Sequence, residues 1–152
     1  MIIPIKDGFT ISTNKNDLDI NVIYNFLHNE AYWSKGIPMT ILEDSIQNSI
    51  CFGVFNGNPQ EGNAKQVGFA RLITDLATFA YLADVFILPS YRGIGLSKCL
   101  VEQIVNYSGI KNVRKIVLAT LDAHDLYSKY GFTPVDPERY MEISHPNIYM
   151  QK

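Results

Sequence analysis

Asp84-Val85-Phe86-Ile87-Leu88-Pro89-Ser90-Tyr91-Arg92-Gly93-Ile94-Gly95-Leu96-Ser97 is the stretch on which the reading of this chain turns. An apolar strand runs into a proline; an arginine and two glycines then open a helix. Proline cannot donate to a strand ladder, so the strand that begins at Phe79 is predicted to end at Leu88. The helix is predicted from Gly93 to Tyr107, with Leu96, Leu100 and Ile104 facing inward beside Val101 and Val105, and Gly109 as its stop. The first turn of a helix leaves N–H groups without partners and carries a partial positive charge. Glycine there keeps a Cβ out of the way of a bulky anion. The turn is therefore a candidate seat for a phosphate or pyrophosphate, with Arg92 adding a fixed charge. A dinucleotide fingerprint would want a third glycine near position 98, where Lys98 stands, and the Gly-Lys-Ser/Thr of a P-loop is absent. Taken alone, Gly-x-Gly is better explained as the geometry of a strand-to-helix turn.

Outward from this turn, the pattern predicts further elements. Phe9 to Ser12 reads as a short strand and Asp17 to Asn29 as a helix, with Ile20, Ile23, Tyr24 and Leu27 on one face. A loop from Tyr32 to Pro38 leads to a short helix, Met39 to Gln47. Ile50 to Phe55 and Gln66 to Leu72 read as a hairpin around the turn-forming stretch Asn56 to Asn63. Phe79 to Leu88 is nearly all apolar, as in a strand covered on both faces. Arg114 to Thr120 reads as another buried strand, Ala123 to Tyr130 as a helix capped by Gly131, and Phe132 to Val135 and Arg139 to Ile143 as terminal strands. This order predicts an α/β (α+β) fold with a mixed, mostly antiparallel sheet of about six to seven strands flanked by about four helices.

The chain has 152 residues, enough for one domain with one core. A formal charge of −2 gives no basic footprint, which argues against nucleic acid as a partner. No apolar run approaches a bilayer-spanning length, so no membrane partner is expected. Residues 1–7 lack the pattern of a signal peptide. Cys51 and Cys99 lie in apolar surroundings and match no metal spacing. They read as buried, reduced thiols, which points to a cytoplasmic protein without a metal site.

The string Pro-x-Tyr-Arg-Gly-x-Gly, with its strand and helix, resembles the acyl-CoA signature of the GNAT acetyltransferase superfamily, Gln/Arg-x-x-Gly-x-Gly/Ala. Arg92, Gly95 and Ser97 stand at its fixed places, Ser97 as a departure. The element order resembles the family's fold over most of the chain. The resemblance implies acetyl-CoA as cosubstrate. The backbone of Val85, Phe86 and Ile87 would pair with the pantetheine amides, and an N–H near Ile87 would face the thioester carbonyl. The backbone of Gly93, Ile94, Gly95, Leu96, Ser97 and Lys98 would take the pyrophosphate. Thr120 replaces an asparagine that often touches the pantetheine arm. Homodimers are common in the family, while the sequence holds no interface signal of its own.

A second segment, Ala123-His124-Asp125-Leu126-Tyr127-Ser128-Lys129-Tyr130-Gly131-Phe132, is similar to the family's Ala-x-x-Leu-Tyr-x-x-x-Gly-Phe. By that likeness Tyr127 is the general acid that protonates the departing thiolate. A core tyrosine at helical spacing is its other reading. The likeness implies acetyl transfer to a primary amine of a small molecule or peptide, by direct attack in a ternary complex. An idle CoA-binding regulatory module is the alternative. Where relatives often carry a glutamate, this chain has Ala83. Asp84, a charge inside an apolar strand, is then the first candidate for amine binding or proton removal, with hydrogen bonding to a neighbouring loop as its other reading. His28, His124 and Asp75 are weaker candidates. The loop Glu30 to Pro38 is expected to border the acceptor, with Tyr32 and Trp33 stacking on it or plugging the core, and Phe79, Arg71 and Tyr140 lining the same cleft.

Overall fold

The computed structural model describes residues 1–150. In chain order its elements are β1 (Ile2–Lys6), β2 (Phe9–Ser12), α1 (Ile20–Asn29), α2 (Met39–Gln47), β3 (Ile50–Asn56), β4 (Lys65–Thr74), β5 (Phe79–Ile87), α3 (Leu96–Val105), β6 (Lys115–Val117) and α4 (His124–Ser128). The six strands form one sheet in the order β1-β2-β3-β4-β5-β6. The first five run antiparallel to their neighbours. β6 lies parallel to β5, which requires the crossover that α3 supplies. Among the described residues no helix is long and apolar enough to cross a membrane.

Both faces of the sheet are covered. α3 and α4 pack Leu100, Ile104 and Tyr127 against Phe52, Leu72 and Leu82. α1 and α2 pack Ile23, Leu27 and Leu42 against Phe69 and Phe86 on the other face. Each such aliphatic side chain contributes about 2 kcal/mol through burial. The two layers are tied by a buried polar residue. Gln66 on β4 accepts the Asp19 N–H at 2.7 Å and donates to the Gly68 carbonyl at 3.0 Å. Asp19 in turn caps α1, accepting from the N–H groups of Asn21 and Val22. The start of α1 is thus fixed from the sheet, and Phe26 stacks on Phe86 with ring centroids 4.0 Å apart.

Several expected boundaries are corrected. β1 was not foreseen, because Pro4 interrupts it; proline is tolerated there since β1 is an edge strand. Lys15–Asp17 is a separate tight turn, so α1 starts at Ile20 rather than Asp17. α3 starts at Leu96, not Gly93, because Gly93 and Gly95 have φ of +84° and +87°, outside the helical region. It stops before Gly109, where the backbone N–H and side-chain amide of Asn106 both reach the Glu102 carbonyl. β6 is half-exposed and three residues long rather than Arg114 to Thr120. α4 is confined to His124–Ser128, where Ala123 to Tyr130 was expected.

Phe132–Val135 and Arg139–Ile143 are not strands. Pro134 and Pro137 remove ladder donors, and residues 137–139 close into a tight turn capped by the Asp136 carboxylate. β6 therefore keeps an open edge. Cys51 is buried as expected, whereas Cys99 is half-exposed.

Candidate functional site: two clefts meeting at a bulged strand

Along β5 the register with β4 breaks. Phe69 pairs with Phe86 and Arg71 with Ala83, so Asp84 and Val85 together oppose Ala70. This is a β-bulge, which bends a strand and leaves part of its ladder unpaired. Asp84 takes φ +55°, a conformation that costs most side chains energy and that aspartate tolerates better than most. Its carboxylate is fully engaged. Oδ1 accepts from Trp33 Nε1 at 2.7 Å and Oδ2 from Arg71 Nε at 2.6 Å. Arg71 Nη1 also donates to Ser49 Oγ at 3.1 Å. The Asp84 side chain is only 7% exposed, and pairing offsets the cost of burying its charge.

A second irregularity opens the sheet. β5 and β6 pair only from Phe79 to Tyr81 and from Lys115 to Val117. β5 then continues to Ile87, while the chain after β6 turns toward α4, where Thr120 Oγ1 accepts from the N–H groups of Asp122 and Ala123. Two adjoining clefts border this gap.

The first cleft has a volume of about 390 Å³ and is floored by Val85, Phe86 and Ile87, with Gly93, Gly95 and Ser97 at its end. Gly95 occupies the cap position of α3 with no side-chain cap, so the N–H groups of the first turn are left for an anion. Two side chains shape this turn. Arg92 Nε donates to the Ile87 carbonyl at 2.8 Å, and Lys6 Nζ reaches from β1 to the Ile94 carbonyl at 2.6 Å. Ile94 and Lys98 lie exposed beside the seat and outside the cleft wall. An uncapped helix start beside a bulged strand suits an acyl-CoA: the turn for its phosphates, the free backbone of β5 for its amides.

The second cleft, about 530 Å³, is bordered by Tyr32, Trp33, Arg71, Tyr81, Asp84 and Asp122, with Thr120 also in its wall. Tyr127 lines both clefts. Its ring is buried, edge-on to Phe132, and its hydroxyl makes no hydrogen bond among the described residues. Burial, reinforced by the negative charge of Asp122 and by Tyr32, pushes its pKa up to about 12, so the phenol stays protonated.

Other expected site residues lie elsewhere. Phe79 begins β5 at the far end of the strand, outside both clefts. Tyr140 accepts from Lys115 Nζ at 3.3 Å along the open edge of β6, beside a third cleft of about 630 Å³ that shares no lining residue with the other two. His28 stacks on Tyr24 and bonds the Ile37 carbonyl, Asp75 caps the β4–β5 turn, and His124 is exposed at the start of α4. Lys6, Ser49, Tyr81 and Asp122 were missed. Lys6 and Ser49 reach the site through the packing of distant elements, whereas Tyr81 and Asp122 are near neighbours in sequence of expected site residues on β5 and before α4.

A family profile described as an acetyltransferase (GNAT) domain matches residues 48–134. An acetyltransferase of Gibberella zeae is 33% identical over 139 residues, covering 82% of this chain and 78% of that one. An uncharacterized N-acetyltransferase of Pyropia yezoensis, ycf52, is 35% identical over 140 residues, covering 90% and 75%. Among solved structures, a GNAT-family acetyltransferase of Xanthomonas campestris pv. campestris superposes with a TM-score of 0.88 at 41% identity, covering 95% and 99%. A GNAT acetyltransferase of Elizabethkingia anophelis, solved with acetyl-CoA bound, shares the fold with a TM-score of 0.61 at 16% identity, covering 86% and 80%. The signature turn, the splayed sheet and these relatives agree: this chain belongs to the GNAT acetyltransferase family.

Proposed function

We propose that the protein transfers an acetyl group from acetyl-CoA to a primary amine by direct attack, with both substrates bound. The observation that carries this reading is the position of Tyr127, a protonated phenol standing where the two clefts meet. When bound, acetyl-CoA supplies the reactive thioester. The residues of the first cleft would hold it: the first-turn N–H groups of α3 at its phosphates and the bulged backbone of Val85 to Ile87 along its arm. The amine would enter from the second cleft. Freed of one proton by water, its nitrogen bonds to the acetyl carbon as the carbon–sulfur bond breaks. Tyr127 gives its phenolic proton to the sulfur and takes one back from the new amide nitrogen.

Asp84 serves this reaction best as an anchor. Its two oxygens hold Trp33 and Arg71 in the wall of the acceptor cleft, so it shapes the cleft rather than accepting a proton. CoA release in the presence of acetyl-CoA and a broad amine panel, with the product identified by mass, tests the proposal. Thiol release above the rate of hydrolysis with at least one amine is expected. Cofactor binding with no amine-dependent release would favour an idle CoA-binding module instead. Absence of binding below millimolar acetyl-CoA would overturn both.

A further inference from the structure

We propose that the acceptor is a primary monoamine with a flat apolar body and no carboxylate, its ammonium held by Asp122 and its body lying against Tyr32, Trp33 and Tyr81. This rests on the reading above and narrows it. The charged residues bordering the acceptor cleft are Arg71, Asp84 and Asp122. Arg71 and Asp84 neutralise each other at 2.6 Å, and both oxygens of Asp84 are occupied. Asp122 differs from both. It is exposed, lines both clefts together with Tyr127, and among the described residues its carboxylate makes no hydrogen bond or ion pair. The cleft thus offers a single uncommitted negative charge, beside the residue assigned to protonate the leaving sulfur.

That count discriminates between classes of amine. One free carboxylate matches one ammonium. The second ammonium of a diamine would find only the Arg71–Asp84 pair, already closed. The carboxylate of an amino acid would face Asp122 without an uncompensated cation, because the charge of Arg71 is balanced by Asp84 at 2.6 Å. Part of the same lining is aromatic. Tyr32 and Trp33 meet edge to face at 5.1 Å and remain 59% and 44% exposed, so their surfaces are available to a ligand. Such rings favour a flat apolar group and attract an adjacent cation.

The test is CoA release by the full chain with four acceptors: 2-phenylethylamine, 1,4-diaminobutane, phenylalanine and aniline, the last uncharged at neutral pH. The expected kcat/KM for 2-phenylethylamine exceeds those for the diamine and the amino acid by about tenfold or more, since a charge-assisted contact is gained without a penalty elsewhere. Asp122→Asn is expected to raise KM for 2-phenylethylamine by about tenfold and to change the turnover of aniline far less; Asp122→Glu recovers most of the loss. Equal or better turnover of the diamine or of phenylalanine overturns the inference, as does an Asp122→Asn effect equal on charged and uncharged amines. Those results would leave the transferase reading intact, whereas failure of every amine in the broad panel would remove that reading itself.

Discussion

Arg71 on β4 donates through Nε to Asp84 Oδ2 across 2.6 Å, and the residue it binds has a left-handed backbone, φ +55°, in the bulge of β5. A strained position and a buried ion pair are therefore one feature. The same carboxylate binds Trp33, from the loop after α1, so two strands and a loop converge on one side chain. The bulge keeps its shape because the partners of Asp84 hold it.

Replacing Asp84 with Ala leaves the guanidinium and the indole N–H without an acceptor and puts a disfavoured residue in the left-handed region. Unfolding free energy is expected to fall by about 2–4 kcal/mol. Asp84→Asn keeps an acceptor for Trp33 and tolerates the backbone, so about half of that loss is expected. Urea denaturation of the two variants gives the comparison; an alanine variant with an unshifted midpoint would contradict the assignment.

Tyr127→Phe removes the phenolic proton with little change of shape. A drop of about 10²-fold in kcat is expected with acetyl-CoA affinity unchanged. Because burial pushes the Tyr127 pKa up from 10.0 to about 12, the wild-type rate should show no alkaline decline from this group below pH 10. A decline near neutrality that vanished in the phenylalanine variant would count against it.

The turn before α3 offers a paired test. Gly93 and Gly95 both have positive φ, so alanine at either costs about 1–2 kcal/mol of backbone strain. An added Cβ at Gly93 meets nothing within 4 Å, whereas at Gly95 it lies 3.3 Å from Lys6 Nζ, which holds the Ile94 carbonyl. Acetyl-CoA affinity should fall further for Gly95→Ala than for Gly93→Ala, measured by calorimetry; the reverse order would place the anion at a different part of the turn.

How much of this was legible in the sequence follows from the range of the forces involved. The turn from β5 into α3 was readable because proline and glycine act on their own backbone. That Tyr127 lies on a buried face was readable because a helix repeats its face, whereas its proposed role came from the resemblance alone. The exact start of α3 was not readable, since glycine admits either sign of φ and nothing local shows that Gly93 and Gly95 take the positive one. The bulge at Asp84 depends on Arg71 and Trp33, which are 13 and 51 residues away in sequence, and no local pattern encodes it. Phe79 was expected in the acceptor cleft, but which end of β5 opens into a cleft is set by where β6 leaves it, which no local pattern shows. Of the expected terminal strands, Phe132 to Val135 holds Pro134, which removes a ladder donor, and Arg139 to Ile143 follows directly on the tight turn that begins at Pro137.

Cys51 supplies a prediction for alkaline conditions. Burial pushes its thiol up from 9.0 to about 11, so folding favours the protonated form. The sign follows directly: this contribution is complete below pH 9, the unfolded value, and is lost as pH rises toward 11. About 2–3 kcal/mol of stability should disappear across that window, and Cys51→Ala, less stable at neutral pH because of the cavity, should show a shallower slope. Parallel slopes in urea titrations at the two ends of the window would refute the assignment.

The hydrogen bond from Trp33 to Asp84 has one more consequence. Trp33 is the chain's single tryptophan, partly exposed at the rim of the acceptor cleft, with its indole N–H on the carboxylate that anchors the bulge. Its fluorescence is therefore a built-in optical signal for that cleft. Because Trp33 also borders the other cleft, a ligand in either one lies beside the ring and alters the emission, so the arrival of each substrate added alone can be followed by light without attaching a dye.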